Sequence, residues 1–247
     1  MKYVPKSLGK DSEASSGAQS KMDHAKTLII GLSAVAGIFF AAKSIADLAA
    51  AGMPDSWEVA LSKSVFDEFE FEKNDSQLPQ SILDRLIQGQ KVRQLNYRLV
   101  TIDESLPNAF ALPGGIIGLT HGILNEPFGV VGLATIIAHE LGHHQHRHVV
   151  KRFTSTILST MLLSGGSGSL TSILKLMSLK NSRDQERQAD SFAAKLVFDA
   201  YGTVKGAEKF FEHIGGSDSK WGAANAWGAT HPMTEDRINF FKNWKPE

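Results

Sequence analysis

Residues 130–150 read VVGLATIIAHELGHHQHRHVV, and the five letters His139-Glu140-Leu141-Gly142-His143 decide how the rest of the chain is interpreted. Apolar residues recur through this stretch at helical spacing, which predicts one long helix over 130–150. Residues four apart share a helix face, so His139 and His143 can turn both imidazoles toward one ion. Glu140 lies about 100° around from His139, close enough to reach an activated water without itself binding the ion. That division of labour suits hydrolysis: a zinc ion lowers the pKa of a water, and the glutamate takes its proton as the water attacks a carbonyl. The apolar run 131–138 would form a dry wall that strengthens the electrostatics of such a site.

The motif alone also fits a solvated pair of histidines, so the remaining ligand is the deciding question. A catalytic zinc takes three protein ligands and keeps a fourth position open. A histidine at 149 after a glycine at 146 would complete one known pattern, but His146 and Val149 stand there. From His144 to Gln185 the chain contains no glutamate. The first is Glu186, in the segment Asp184-Gln185-Glu186-Arg187-Gln188-Ala189-Asp190 ahead of the apolar helix Ser191 to Phe198. On one helix Glu186 and Asp190 share a face. Glu186 can then ligate the metal while Asp190 accepts a hydrogen bond from the second ring nitrogen of a ligand histidine. Asp184 is the rival ligand, on a different side of the helix, and a salt-bridged face with Arg183 and Arg187 is the plainer alternative.

Composition narrows the rest. The 247 residues hold 26 Lys+Arg against 26 Asp+Glu, so no global field points to nucleic acid or to an acidic partner. There is no cysteine, which leaves histidine and carboxylates as the only strong metal ligands and excludes thiol catalysis.

Outward from the motif, 57–72 and 78–93 have helical spacing, with Pro79 near the start of the second. Leu95 to Ile102 reads as a strand, and Ala109 to Leu119 as a second one interrupted by Pro113-Gly114-Gly115. Residues 153–163 and 170–179 are apolar arms joined by a Ser/Gly loop, each about half a membrane span, and read as a helical hairpin on the domain or dipping into lipid. Helices at 183–200, 203–214 and 233–244 follow. Few strands and many helices predict an α+β fold with one catalytic domain over 57–247.

Residues 1–26 carry Lys2, Lys6, Lys10, Lys21 and Lys26 in a polar background and read as a disordered tail. The segment 27–51 opens with TLIIGLSAVAGIFFAA, sixteen uncharged residues where a membrane span needs about 20. It reads as a membrane anchor, or as a signal segment cut near Leu48-Ala49-Ala50-Ala51; the long leader favours the anchor, a start at Met22 the signal. A buried helix of a soluble protein is the bland alternative. The basic flank ahead of the run places the N-terminus on the cytoplasmic side and sends the remainder across.

With HELGH at 139–143, ERQAD at 186–190 after an apolar hairpin, and Thr230-His231-Pro232, residues 57–245 resemble metallopeptidase family forty-eight, the HtpX and CAAX prenyl endopeptidase-like zinc peptidases. The resemblance implies a mostly helical zincin-type domain whose small sheet borders the cleft with its edge strand. It implies one zinc per chain on His139, His143 and Glu186, with Glu140 as general base and Asp190 behind the ligands. His231 matches the family's late histidine, which stabilises the oxyanion or covers the zinc at rest, and Arg237 an arginine of the same motif, a catalytic cation that would offset charge developing on the tetrahedral intermediate. Asn108, Ala109, Phe110 and Ala111 match the edge strand, where an extended substrate adds by backbone hydrogen bonds.

Members in the inner membrane carry several spans and soluble ones often a helical-repeat domain. The expectation here is a minimal catalytic domain behind one anchor, on the outer face of a bacterial inner membrane or free in the periplasm, cutting unfolded or misfolded proteins. A silent zinc-stabilised binding module and a site-specific processing protease are the competing readings. His144, His146 and His148 fall on other faces of the helix and read as a solvated cluster rather than a second metal site; His121 reads as structural.

Overall fold

The computed structural model describes residues 16–66, 72–73, 77–164, 179–215, 226–232 and 235–246. Residues 1–15 of the 1–26 polar tail and residues 170–178 of the second apolar arm lie outside them. Two units are distinguished, Met1–Ile45 and Ala46–Glu247.

The first unit is formed by helix α1 (Ser16–Gly52), which continues past Ile45. Its stretch Asp23–Gly52 is 30 residues long and apolar enough to cross a membrane. The uncharged run was short for a span, but on its C-terminal side the apolar stretch continues to Gly52 with Lys43 and Asp47 as its only charges. Leu28, Ile30 and Phe40 are exposed along it.

In the second unit, α2 (Asp55–Phe66) and α3 (Gln77–Ile87) precede the sheet. Its strands are β1 (Glu72–Lys73), β2 (Arg98–Ile102), β3 (Ala109–Leu112) and β4 (Ile116–Thr120), in the order β1-β2-β4-β3. β4 is buried throughout and pairs parallel with β2 and antiparallel with β3, in register Phe110 to Gly118. Gly114 and Gly115 both have positive φ, 79° and 89°, the backbone that a tight hairpin between β3 and β4 requires. The interrupted strand of the sequence is therefore a hairpin, and β3 is the outer strand. The architecture is a mostly helical α+β domain with a small mixed sheet, consistent with a zincin-type catalytic domain.

α4 (His121–Leu124) leads to α5 (Gly129–Gln145), whose side chains from Gly132 to His144 are all buried. A helix apolar on every side belongs in the middle of a core, and α5 packs with Leu83, Ile117, Val197 and Phe211 in one cluster. The single helix expected over 130–150 breaks at Arg147, a non-glycine residue at φ 59°, and resumes as α6 (His148–Ser164). α7 (Arg183–Tyr201) opens with a capping box between Ser182 and Gln185 and closes on a left-handed Gly202. α8 (Ala207–Gly215), α9 (Ala226–Thr230) and α10 (Glu235–Asn243) complete the described chain.

A buried ion network braces the start of α2 against the end of α5. Arg93 reaches Asp55 and Glu58, both at 2.6 Å, and donates to the His144 carbonyl at 2.9 Å. Glu58 also accepts from the backbone N–H of Gly114 at 3.2 Å. The hairpin turn and the C-terminal end of α5 thus share one anchor.

Candidate active site

α5 supplies His139, Glu140 and His143 from two successive turns, and all three are buried. α7 lies against α5 at Gly142: a Cβ there would stand 2.8 Å from the Ala189 Cα and 2.9 Å from its carbonyl oxygen. That close approach carries Glu186 and Asp190 up to the histidines. The α9 turn brings the last group, since the His231 backbone N–H donates to the Trp227 carbonyl at 2.7 Å and its ring stacks on Trp227 at 4.0 Å.

Four side chains converge: the ligand atoms of His139, His143, Glu186 and His231 all lie within 4.8 Å of one another. His139 Nε2 is 3.1 Å from His143 Nε2 and 3.2 Å from His231 Nδ1. Glu186 is 3.4 Å from both His139 Nε2 and His143 Nε2, and 3.2 Å from His231 Nδ1. Donors about 2.0–2.1 Å from a tetrahedral ion would stand roughly 3.3–3.4 Å apart, which is the spacing seen here. Three imidazole nitrogens and a carboxylate pointed at one centre would otherwise oppose lone pair to lone pair, so the donor set fits a divalent cation with a preference for nitrogen and oxygen ligands.

Residues 72–245 match the profile of peptidase family M48. The chain belongs to that family. It is 29% identical over 208 residues to the mitochondrial metalloendopeptidase OMA1 of Schizosaccharomyces pombe, covering 77% of this chain and 62% of that one. The Saccharomyces cerevisiae protein of the same name is 26% identical over 152 residues, 57% of this chain and 44% of the relative. The human metalloendopeptidase OMA1 is 23% identical over 176 residues, 63% and 34% respectively. The chain therefore spans less than two thirds of the length of these relatives.

Behind the ligands of this M48 site, His139 Nδ1 donates to Asp190 Oδ1 at 2.9 Å, which leaves Nε2 free to face the metal. Arg237 holds Asp190 through Nε at 2.7 Å and Nη2 at 2.8 Å, and reaches Glu186 through Nη1 at 2.7 Å. The planar guanidinium spends its fork on two buried carboxylates, so it faces the ligand set from behind. Burial pushes the Asp190 carboxyl upward, but Arg237 and His139 hold it below the ordinary range. Glu140 differs: burial raises its carboxyl, with His231 and His139 opposing only in part. Its Oε1 takes no hydrogen bond among the described residues and stands 3.6 Å from His231 Nε2. Asp184, the rival ligand, is exposed and paired with Arg187 at 3.1 Å.

Of the histidine-rich tail only His146 is exposed, so the three do not form one solvated cluster. His144 is fully buried, its ring bonded to the Ile116 carbonyl of β4, and burial drops its pKa to about 3. His148 is also buried, lowered by that burial to about 4, and lies 3.0 Å from His143. His121 is exposed beside Asp103. Two further neighbours escaped the sequence. Asn181 places Nδ2 3.2 Å from both His143 Nε2 and His231 Nδ1, and no motif flags it. Trp227 could have been noticed as an aromatic one helical turn before His231.

The helix contact yields an expected result. Gly142→Ala should lower stability by about 1–3 kcal/mol, because the methyl meets backbone that cannot step aside. Metal content should fall with it, since α7 must retreat and take Glu186 along. Thermal denaturation and metal analysis of the variant check this, and an unchanged melting temperature would count against the close packing.

Proposed function

We propose that this M48 chain is a zinc-dependent endopeptidase with Glu140 as general base and His139, His143 and Glu186 as metal ligands. The observation that carries it is Glu140: a buried carboxylate with an oxygen that takes no hydrogen bond among the described residues, beside four convergent donors. A purely structural ion needs no such group. Zinc, when bound, supplies Lewis acidity and makes a water acidic enough to lose its proton near neutral pH. Glu140, raised by burial, accepts that proton at Oε1 and returns it to the leaving amine. Asp190 and Arg237 keep His139 in the tautomer that presents Nε2. His231, whose Nδ1 stands 3.2 Å from both His139 Nε2 and Glu186 Oε1, would complete the donor set around a bound metal, and as a donor its ring would offset negative charge building on a reacting carbonyl.

β3 supports the substrate side of the reading. Thr120 N–H donates to the Asn108 carbonyl, and Asn108 N–H to the Thr120 hydroxyl. Antiparallel pairs alternate, so Phe110 faces β4 with its backbone while Ala109 and Ala111 turn theirs to the outer edge. A substrate strand added there is read through its main chain, which favours unfolded or misfolded proteins over one folded partner.

The apolar α1 supports attachment to a membrane, with the basic flank favouring the outer face of a bacterial inner membrane and a role in envelope quality control. The relatives are named mitochondrial, which supports an organelle membrane as the second location; a compartment-specific reporter fused at the C-terminus separates the two. The closed four-donor set favours one other reading, a silent zinc-stabilised binding module. Chelation decides between them. Dialysis against a chelator should abolish cleavage of unfolded casein, and about one zinc per chain should restore it. Undiminished cleavage by the stripped chain would sink the metal reading. A zinc-loaded chain that never cleaves would favour the module.

A further inference from the structure

His148 lies outside the His-Glu-x-x-His motif. On an unbroken helix it would stand about 140° around from His143 and could not touch it. The left-handed Arg147 ends α5 and restarts the chain as α6, and this turn folds His148 back until its Nδ1 is 3.0 Å from His143 Nδ1. On the far side of the same ring, Nε2 is 3.0 Å from Gln188 Oε1, on the α7 turn that also carries Glu186.

Two imidazoles that meet through Nδ1 need one donor and one acceptor. Only two assignments run through the whole chain. If the Gln188 amide nitrogen faced His148, donation would run inward, from Gln188 to His148 Nε2 and from His148 Nδ1–H to His143 Nδ1, and leave a proton on His143 Nε2, where no metal could bind. With Gln188 Oε1 accepting from His148 Nε2–H, His148 Nδ1 accepts from His143 Nδ1–H, and the His143 Nε2 lone pair is left for the metal. Given the ligand role proposed for His143, the second assignment follows.

We infer that His148, oriented by Gln188, is a positioning residue that locks ligand His143 in its Nδ1–H tautomer. The two ligand histidines are then held differently. His139 donates to an ionised carboxylate backed by Arg237, whereas His143 donates to a neutral ring backed by an amide. A neutral acceptor draws less on the ring proton, so His143 is the less basic ligand of the pair.

The test is zinc affinity of the full chain, read by competition with a chromophoric chelator, alongside melting temperature in the absence of zinc. Gln188 is exposed, so its substitutions leave the core intact. Gln188→Leu should weaken zinc binding about tenfold, and His148→Ala about 10–100-fold, the usual range for groups that orient metal ligands. Gln188→Glu keeps an acceptor at the same point and adds charge, so it should bind at least as tightly as the parent. Parental affinity in Gln188→Leu would overturn the inference, as would a Gln188→Glu variant as weak as Gln188→Leu. A packing role alone would shift the melting temperature without producing this order of affinities. Failure of the peptidase reading shows itself separately, as a zinc-loaded parent that cleaves nothing.

Discussion

Glu140→Gln should lower kcat/KM on an unfolded protein by about 10²–10⁴-fold, the usual worth of a positioned general base, while zinc content stays parental. The amide fills the same volume and keeps the site dry, but it cannot take a proton. Two features make this group matter more than an ordinary surface carboxylate. It is buried at 1% exposure, and its Oε1 is not engaged by any hydrogen bond among the described residues. Its proton affinity is therefore kept for the reaction. Metal analysis beside single-turnover kinetics checks both halves of the expectation. Retention of full activity would remove Glu140 from the mechanism; loss of zinc would mean that it holds the site together rather than moves a proton.

Arg237→Ala should give the largest loss of stability, about 3–5 kcal/mol, the cost of leaving a buried charge without its partner. Arg237 is 4% exposed and Asp190 2%. The guanidinium meets Asp190 with two bonds and Glu186 with a third contact, so its removal takes from two buried carboxylates the cation that faces them. Urea denaturation of the zinc-loaded chain measures this. Adding Asp190→Asn should recover part of the loss, because the stranded charge is removed with its partner, and a double-mutant cycle gives the coupling. Independent, additive effects would show that the pair contributes little. The sequence had cast Arg237 as a group that offsets charge on the reacting carbonyl. Its contacts favour a role in holding Asp190 and Glu186.

How much of this was legible depended on how local each determinant is. His139, Glu140 and His143 could be read because four residues on a helix are one turn, whatever surrounds them. Glu186 could be read by elimination, since no earlier glutamate follows the motif, and its partner Asp190 by the same one-turn rule. The β3–β4 hairpin was half legible: Pro113-Gly114-Gly115 marked the interruption, but not that the chain reversed there. His231 had only its resemblance to commend it. Nothing in its neighbourhood says that the α9 turn will stack it on Trp227 against a helix more than ninety residues earlier in sequence.

The break at Arg147 was illegible for a definite reason. Left-handed backbone is normally announced by glycine or asparagine, and arginine adopts it only when the surroundings hold it there. Those surroundings are distant: Arg147 donates to the Met53 carbonyl at 2.7 Å and reaches Asp55 at 3.4 Å. An uninterrupted helix turns His148 about 140° away from His143, and the broken one brings the two rings together. The sequence by itself therefore determined which side chains of α5 and of α7 share a face, because that depends on residues one helical turn apart. Only the tertiary structure decided which neutral groups orient those side chains, because that depends on a backbone conformation set by contacts across the fold.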